Sequence, residues 1–364
     1  MRYIPVERLS EGMVLGQPFY GKKFEILLAP GMTLNALHIK RINEMGYAGV
    51  YVIDDLTQDV VMKDIIPADV RVNTIRANLE FVLQAEKVAE SPAARRPKSA
   101  HKVTKLQQQK IITPVIDSLI ANDHRVIDVV DLKPYDYYNY YHAANVVVIS
   151  LLVGVVMGIS GNQLFDLGMA ALLHDIGSCF VPKYILEKPD KLTPEEYDIV
   201  KSHCDRGFEY LRENYDVTIE TCLGALHHHE HYDGSGYPNG LKKDKISILG
   251  RIINAVDVYD ALISRRPFRD AMFPYEALEI MHKRAGKAFD PDVIKVLDQV
   301  ICPYPAGVFV ELDTGVQCLV VENYPAAPKR PRLRLVNNAS ATPLYIDLHQ
   351  DTNYRGNSIT KIIK

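Results

Sequence analysis

The amino-acid sequence predicts a multidomain protein, with a central all-α helical bundle between a small α+β N-terminal module and a small all-β C-terminal module. From about residue 103 to residue 300, apolar residues recur at helical spacing without strand-like alternation. Before residue 67 and after residue 302, short β-rich runs lie between Gly and Pro turns instead. The length of 364 residues suits two or three domains.

Residues 1–66 are predicted to form the small α+β module. Strand-like runs occupy residues 3–9, 13–20, 24–28 and 49–53. An amphipathic helix is predicted over residues 35–45, where Gly46 stops it. This part of the sequence has no cluster of catalytic residue types, so it is interpreted as either a regulatory module or a structural appendage.

Residues 67–102 are predicted to connect this module to the helical bundle. A helix is predicted over residues 68–88, with the apolar residues Ile75, Leu79 and Val82. The stretch 90–102 contains two prolines and no periodic apolar residues. That composition indicates a flexible linker or loop.

Residues 103–300 form the predicted all-α domain. One helix start is specific, because Thr193 takes the N-cap, Pro194 the first helical position and Glu196 the third. The lack of strand patterns argues against βαβ units. The predicted helices cover residues 106–121, 138–158, 162–176, 194–214, 220–231, 248–264, 275–284 and 292–300.

Residues 303–364 are predicted to form the small β-rich C-terminal module. Strand-like runs occupy residues 307–312, 317–322, 332–336 and 345–348, between Gly, Asn and Pro turns. Neither this module nor residues 1–66 contains a cluster of ligand-type side chains. Both are therefore expected to regulate or position the helical domain and to do no chemistry.

The composition is that of a soluble globular protein. The chain is 47% hydrophobic and 24% charged, and its net charge of −3 gives no support to binding of a nucleic-acid polymer. The longest apolar run, near residues 146–158, is too short for a membrane span, and the N-terminus lacks a signal-peptide core. The five cysteines form no CxxC pair, which predicts reduced thiols and a cytoplasmic location.

Several side chains of metal-ligand type lie in the helical region. His174 and Asp175 end an apolar helix, and Asp257 lies inside another apolar stretch, where an unpaired carboxylate would be costly. Residues 227–231, HHHEH, are too dense in histidine for ordinary core packing. A divalent metal in a helical bundle would satisfy such groups. The candidate ligands are His142, His174, Asp175, His203, His228, His229 and Asp257.

The chemistry of these side chains indicates which metal they favour. Nitrogen and oxygen ligands without thiolates favour iron, manganese or another octahedral first-row ion, whereas a structural zinc site more often uses cysteines. One carboxylate beside one histidine can bridge two metals. Two such ions can activate water and bind phosphoryl oxygens, which makes a dinuclear hydrolase one hypothesis.

Sequence blocks around these residues resemble a known family. His174-Asp175, with the distant His142 and Asp257, resembles the H…HD…D signature of the HD phosphohydrolase superfamily. Residues 228–238, HHEHYDGSGYP, resemble the HHExxDGxGYP segment of its HD-GYP family. Further similarity lies at residues 172–177, 186–189 and 257–269, so the resemblance covers about residues 136–300 and implies an HD-type bundle.

The resemblance implies a bacterial signalling enzyme that hydrolyses cyclic di-GMP to the linear dinucleotide pGpG, to GMP or to both. By position, the seven candidates would hold the metals, Asp175 would bridge them, and a bridging hydroxide would attack phosphorus. Asp260, one helical turn after Asp257, is expected either to orient a ligand or a water or to be an ordinary paired carboxylate.

The resemblance also implies substrate contacts. Arg266 and Arg269 match basic positions that face the substrate phosphates in the family. Tyr237 lies in the Gly-rich loop, where Gly234 and Gly236 permit unusual backbone angles. Tyr237 and Gly236 are therefore expected at the substrate, with Tyr237 either contacting it or covering the site.

Two positions depart from the family pattern. The family usually has a lysine where this chain has Ser178, so a positive charge near the reacting phosphate is missing. Some members also carry a Glu, associated with a third metal, where this chain has Tyr138. Two divalent metal ions, iron or manganese, are therefore expected, and Ser178 is expected to affect catalysis.

Three functions remain open at this stage. The first is a metal-dependent cyclic di-GMP phosphodiesterase, which the full ligand set favours. The second is a catalytically impaired cyclic di-GMP receptor that signals through its flanking modules, which Ser178 favours. The third is an HD hydrolase of another nucleotide. A homodimer is left open.

Overall fold

The fold was analysed in a computed structural model of the chain. The structure describes residues 1–21, 25–55, 57, 59–60, 62–90, 102–123, 125–128, 138–265, 270–336 and 343–363. Most of the predicted linker at residues 90–102 lies outside the described residues. Arg266 and Arg269 also lie outside them, so their predicted contacts with substrate phosphates stay predictions.

The N-terminal module is an α+β unit, as predicted. Strands β1 (Arg2–Pro5), β2 (Val14–Leu15) and β5 (Gly49–Ile53) form an antiparallel sheet in the order β1-β5-β2, and β3 (Phe19–Tyr20) pairs with β4 (Ile26–Leu28). Helix α1 (Ala36–Glu44) begins where the Asn35 side chain accepts a hydrogen bond from the His38 backbone. Apolar side chains such as Leu15, Ile42 and Val50 give the module its own core.

The central region is helical, which confirms the predicted all-α bundle. Helix α4 (Tyr138–Val156) is buried from Tyr141 to Gly154, because it packs against α2 (Ala68–Glu90), α5 (Gly161–Leu173) and α10 (Ile248–Ile263). The helices are α2 (Ala68–Glu90), α3 (Lys105–Ala121), α4 (Tyr138–Val156), α5 (Gly161–Leu173), α6 (Lys183–Leu186), α7 (Pro194–Lys201), α8 (His203–Asn214), α9 (Ile219–Leu226), α10 (Ile248–Ile263), α11 (Pro274–Lys283) and α12 (Pro291–Val300). No helix among the described residues is long and apolar enough to cross a membrane.

Helix α2 packs into the core of this bundle. Ala77, Phe81 and Ala85 are buried in the same hydrophobic cluster as α4, α5 and α10. The buried Asn78 side chain donates a hydrogen bond to the carbonyl of Leu172, at 2.8 Å. The division made on the sequence at residue 103 therefore separates α2 from helices that share its core.

Three predicted helices end earlier than the periodicity indicates. The predicted helix 194–214 is divided into α7 and α8 at Ser202, whose hydroxyl donates to the carbonyl of Ile199. Helix α5 ends at Leu173 and is followed by a 3-10 turn, Ile176–Phe180, and α9 ends at Leu226. Apolar spacing continues across these breaks, so periodicity does not show where each chain segment turns.

The C-terminal module is an antiparallel five-stranded sheet in the order β10-β6-β7-β8-β9. Its strands are β6 (Phe309–Leu312), β7 (Gln317–Glu322), β8 (Arg332–Leu335), β9 (Tyr345–Asp347) and β10 (Ile359–Ile363). Four of these strands were predicted. Strand β10 was missed, because its pairing with β6, about fifty residues earlier, has no local signal in the sequence.

Buried Asp128 joins the helical region to the C-terminal module. One oxygen of its carboxyl group accepts hydrogen bonds from the backbone N–H of Ala306 at 2.8 Å and from the Asn323 amide at 2.6 Å. Burial raises the pKa of Asp128 to about 7. The folded protein therefore keeps the Asp128 carboxyl group protonated at pH values where the same group in the unfolded chain has lost its proton.

Asp128 is expected to contribute stability that is lost as the pH rises between about 4 and 7, because at this carboxyl group the folded state holds a proton that the unfolded state has released. Asp128→Asn should remove this contribution from the pH profile, since an amide oxygen can accept the same bonds and carries no charge. Thermal unfolding from pH 4 to 8 measures it, with exposed Asp190→Asn as control. An unchanged slope in Asp128→Asn would contradict the assignment.

Candidate metal centre

The structure brings all seven candidate ligands together from five helices. His142 lies on α4, His174 and Asp175 follow α5, and His203 begins α8. His228 and His229 follow α9, and Asp257 lies on α10. Donor atoms of Asp175, His203, His228 and His229 lie within 4.8 Å of one another, and so do those of His142, His174 and Asp257.

Three of the histidines are oriented by the same local contact. The Nδ1 atoms of His174, His203 and His228 each donate to the backbone carbonyl three residues earlier, that of Ala171, Val200 and Ala225. This bond fixes the tautomer and leaves Nε2 available as a ligand. All three histidines are buried, because they lie at helix ends that face the bundle core.

His142 is held by carboxylates instead. Its Nδ1 atom lies 2.6 Å from Oδ2 of Asp260, and its Nε2 atom lies 3.1 Å from Oδ1 of Asp257. Asp260 is completely buried and also accepts a hydrogen bond from the Asn145 amide, at 3.2 Å. Asp260 therefore touches a candidate ligand from the side opposite the cluster.

Asp175 lies between the two groups of donors. One of its oxygens, Oδ1, is 3.4 Å from Nε2 of His203 and 3.7 Å from Nε2 of His228. The other, Oδ2, is 3.7 Å from Nε2 of His174 in the second group. Half of the Asp175 side-chain surface, 52%, is exposed, so the carboxylate is accessible from outside the bundle.

Burial sets the protonation of the cluster. It lowers the pKa of His174, His203 and His229, so these imidazoles are neutral at pH 7, which is the form that binds metals. For Asp257, burial opposes ionisation, but the hydrogen bond and charge of His142 hold its pKa well below the usual range. At His228 burial also favours the neutral ring, but the hydrogen bond and charge of Asp175 raise its pKa above the usual value. The neutral imidazoles of the other three, beside ionised carboxylates, form a donor set suited to a divalent cation.

One buried atom indicates whether a metal ion fits the cluster. Nε2 of His174 is buried and has no hydrogen-bond partner among the residues that the structure describes, although its ring is fixed by Ala171. A buried polar atom without a partner is costly, and a metal ion would satisfy it. The nitrogen and oxygen donors of both groups therefore fit divalent metal ions.

The loop after the paired histidines covers one side of the cluster. The ring of Tyr237 lies 4.8 Å from the ring of His229, centroid to centroid. A Cβ atom on Gly236 would lie 2.2 Å from the backbone nitrogen of His231, so only glycine fits there without a shift. Gly236 thus shapes the loop, and its predicted contact with substrate stays a prediction.

The sequence analysis did not single out Glu230. Its carboxylate is buried and accepts hydrogen bonds from the backbone N–H groups of Asn239 at 2.7 Å and Leu241 at 2.9 Å. These bonds hold the Gly-rich loop against the cluster. Glu230 is the glutamate of the HHE motif, so the motif could have indicated that it matters. The motif does not indicate that Glu230 supports the loop.

Ser178 lies beside Asp175. Its hydroxyl donates to Oδ1 of Asp175 over a long 3.5 Å contact, and its side chain is partly exposed. The position where the family carries lysine therefore faces the carboxylate between the two donor groups. The other two histidines of the HHHEH run, His227 and His231, lie outside both groups.

Gly177 lets the 3-10 turn approach α8 closely. A Cβ on Gly177 would lie 1.9 Å from the carbonyl oxygen of His203 and 2.6 Å from the backbone nitrogen of Gly207. These neighbours are backbone atoms of the helix that carries a candidate ligand. They cannot move aside without moving His203.

Gly177→Ala is therefore expected to lower the free energy of unfolding by about 3 kcal/mol and to reduce metal content. Gly356→Ala is the control, because a Cβ there meets nothing within 4 Å. Denaturant unfolding and metal analysis of both variants measure the effect. Normal stability in Gly177→Ala would show that the approach is less tight than described.

A helical bundle that gathers histidines and aspartates around a central His-Asp pair defines a protein of the HD type. Residues 126–293, a little under half of the chain, match the model of the HD domain. This match, together with curated relatives named cyclic di-GMP phosphodiesterases, confirms the predicted resemblance to the HD-GYP branch of the HD phosphohydrolases.

Curated relatives match part of the chain. The chain is 33% identical over 229 residues to a cyclic di-GMP phosphodiesterase of Pseudomonas aeruginosa, covering 63% of this chain and 55% of the relative. It is 40% identical over 147 residues to the cyclic di-GMP phosphodiesterase response regulator RpfG of Xanthomonas campestris, covering 40% and 39%. A 3'3'-cGAMP-specific phosphodiesterase of Vibrio cholerae is 33% identical over 231 residues, covering 61% and 49%. The chain thus spans about half the length of these relatives or less.

Proposed function

We propose that this protein is a metal-dependent phosphodiesterase that hydrolyses cyclic di-GMP to pGpG, GMP or both. The observation that carries the proposal is the arrangement of seven metal-ligand side chains in two adjacent groups, with Asp175 between them. Relatives of this chain act, by their names, on cyclic di-GMP or on 3'3'-cGAMP. Cyclic di-GMP is proposed first because it is the substrate of most of them.

The proposed cofactors are two divalent ions, iron or manganese. His142, His174 and Asp257 would hold one ion, and His203, His228 and His229 would hold the other, with Asp175 shared. When bound, such ions stabilise charge on phosphoryl oxygens and provide a water of lowered pKa. The expectation of two rather than three ions rests on Tyr138 at the position of the third-metal glutamate.

The protein's own residues would prepare the site in three ways. Backbone carbonyls and Asp260 fix the imidazole rings, so little reorganisation is needed when ligands bind. The Tyr237 ring beside His229 would limit water on one side of the cluster and face the substrate. Arg266 and Arg269 are proposed to bind the phosphates, and Gly236 to let the loop approach them.

The direct test is hydrolysis by purified protein loaded with Mn²⁺ or Fe²⁺ under anaerobic conditions. Cyclic di-GMP, 3'3'-cGAMP and cyclic di-AMP are compared at equal concentration, and products are separated by chromatography. We expect turnover of cyclic di-GMP to exceed that of the other two, with no turnover by metal-free protein. Preference for another cyclic dinucleotide would assign the protein to the third function, and no turnover of any would reject an enzyme.

A cyclic di-GMP receptor is the second candidate, and Ser178 beside Asp175 is the observation that favours it. A receptor would bind cyclic di-GMP at micromolar concentration or below and leave it intact in the same preparation.

The five free cysteines support a reducing compartment, so the proposed location is the cytoplasm. A homodimer remains a prediction.

A further inference from the structure

A cavity of about 250 Å³ lies between the N-terminal module and the helical bundle, apart from the metal centre. This volume is near the lower end of small-ligand sites, about 300 Å³. Its walls are rich in aromatic side chains, among them Phe19, Tyr20 and Tyr47 from the module and Tyr141 from α4. Such walls suit a planar ring system of one or two rings.

One wall of the cavity carries a guanidinium group. Arg71, on α2, is partly buried and donates from Nη1 to the amide oxygen of Asn145 at 3.0 Å. No carboxylate among the residues that the structure describes lies within ion-pair distance of Arg71. A partly buried cation with only a neutral partner favours an anionic ligand, to which arginine can bind with two hydrogen bonds.

Two carboxyl groups also line the cavity, and neither opposes an anion strongly. Asp128 is bound by Ala306 and Asn323, and burial raises its pKa to about 7. Asp64 is exposed to solvent, as is the cation Lys63 beside it. Arg71 is therefore the partly buried cation among the described residues of the cavity wall.

Arg71 is linked to the metal centre by hydrogen bonds. The amide of Asn145, whose oxygen binds Arg71, donates to Oδ1 of Asp260 at 3.2 Å. Oδ2 of Asp260 lies 2.6 Å from Nδ1 of His142. The chain Arg71–Asn145–Asp260–His142 thus runs from the cavity wall to a candidate metal ligand, and Arg71 lies before the HD domain match begins.

We propose that this cavity binds a small aromatic carboxylate through Arg71, and that binding weakens metal affinity at the His142 group. A ligand carboxylate would draw Arg71 away from Asn145, which would then hold Asp260 less firmly. His142 would in turn lose part of its orientation. Arg71 is in this scheme a positioning residue. The binding site stands without the proposed function, whereas the coupling rests on its metal centre.

The first experiment tests the site with 2-naphthoate and its neutral analogue 2-naphthamide. Calorimetric titration of the full, metal-free chain should show one naphthoate bound per chain, at least about tenfold tighter than the amide, which is 1.4 kcal/mol. Arg71→Gln should remove this preference. Arg76→Gln, on the exposed face of the same helix, should keep it. Absence of naphthoate binding, or an unchanged preference in Arg71→Gln, would overturn the site.

The second experiment tests the coupling through Mn²⁺ binding, so that it does not depend on turnover. Saturating 2-naphthoate should weaken Mn²⁺ affinity at least about fivefold, within the usual range of coupling between sites. Arg71→Gln should bind Mn²⁺ more weakly by itself and no longer respond to naphthoate, with unchanged thermal stability. Naphthoate binding without any change in Mn²⁺ affinity would overturn the coupling. Normal Mn²⁺ coupling in a protein without turnover would refute the proposed function alone.

Discussion

Asp175→Ala is expected to lose most of its bound metal and at least about a thousandfold in kcat, which corresponds to roughly 4 kcal/mol of transition-state stabilisation. The reason is its position. Its two oxygens face His203 and His228 on one side and His174 on the other, at 3.4 to 3.7 Å. Every other candidate ligand belongs to one group of donors. Replacing one of them would therefore weaken the binding of one ion first.

Metal content and turnover are measured on the same anaerobically purified samples. The wild-type chain should contain about two iron or manganese ions, and Asp175→Ala fewer than one. Asp190→Ala is the matched control, because Asp190 is an exposed aspartate on the same part of the chain and outside both groups. Full metal content in Asp175→Ala would contradict the shared position, and three tightly bound ions in the wild type would contradict the dinuclear site.

Ser178→Lys is expected to raise kcat for cyclic di-GMP by roughly a hundredfold, with little change in affinity. Ser178 faces Asp175 and is partly exposed, so a longer side chain has a route past the carboxylate towards the reacting phosphate. An ammonium group there would stabilise charge that develops in the transition state. Substrate affinity should change less, because Arg266 and Arg269 are proposed to hold the phosphates in both forms.

The Ser178→Met variant distinguishes the effect of the lysine charge from the effect of a longer side chain, since methionine is long and uncharged. Turnover and cyclic di-GMP affinity of the three proteins are compared at matched metal content. Ser178→Met should be no faster than the wild type. Equal or lower turnover in a folded, fully metallated Ser178→Lys protein would show that the missing lysine does not limit this site.

Most of the candidate ligands could be found in the sequence because they stand in an improbable context, whereas His142 and His203 were placed by the family resemblance. Polar pairs such as His174-Asp175 end an apolar helix, where an unpaired carboxylate is costly, and His228-His229 belong to a contiguous motif. The helical region could also be predicted, because apolar spacing along one segment is a local property of the sequence. Strand β10 was not, since its pairing with β6 joins segments about fifty residues apart.

The long-range contacts around His142 could not be located from the sequence, because they join residues far apart in the chain. Asp260 meets His142 across 118 positions, and Arg71 meets Asn145 across 74. Such pairs depend on how α2, α4 and α10 pack, which no local pattern encodes. The same holds for the close approach of Gly177 to His203, where the sequence shows only a glycine.

The sequence by itself determined the order of the β-rich and helical regions, the resemblance to the HD phosphohydrolases and the set of candidate ligands, since these follow from local periodicity and contiguous motifs. The tertiary structure alone decided how the ligands divide into two groups around Asp175 and that α2 shares the bundle core. It also decided that the cavity wall contains Arg71, from which hydrogen bonds lead to His142. The physical reason is that packing between distant helices sets which polar side chains share a buried environment, and burial in turn sets their partners and charge.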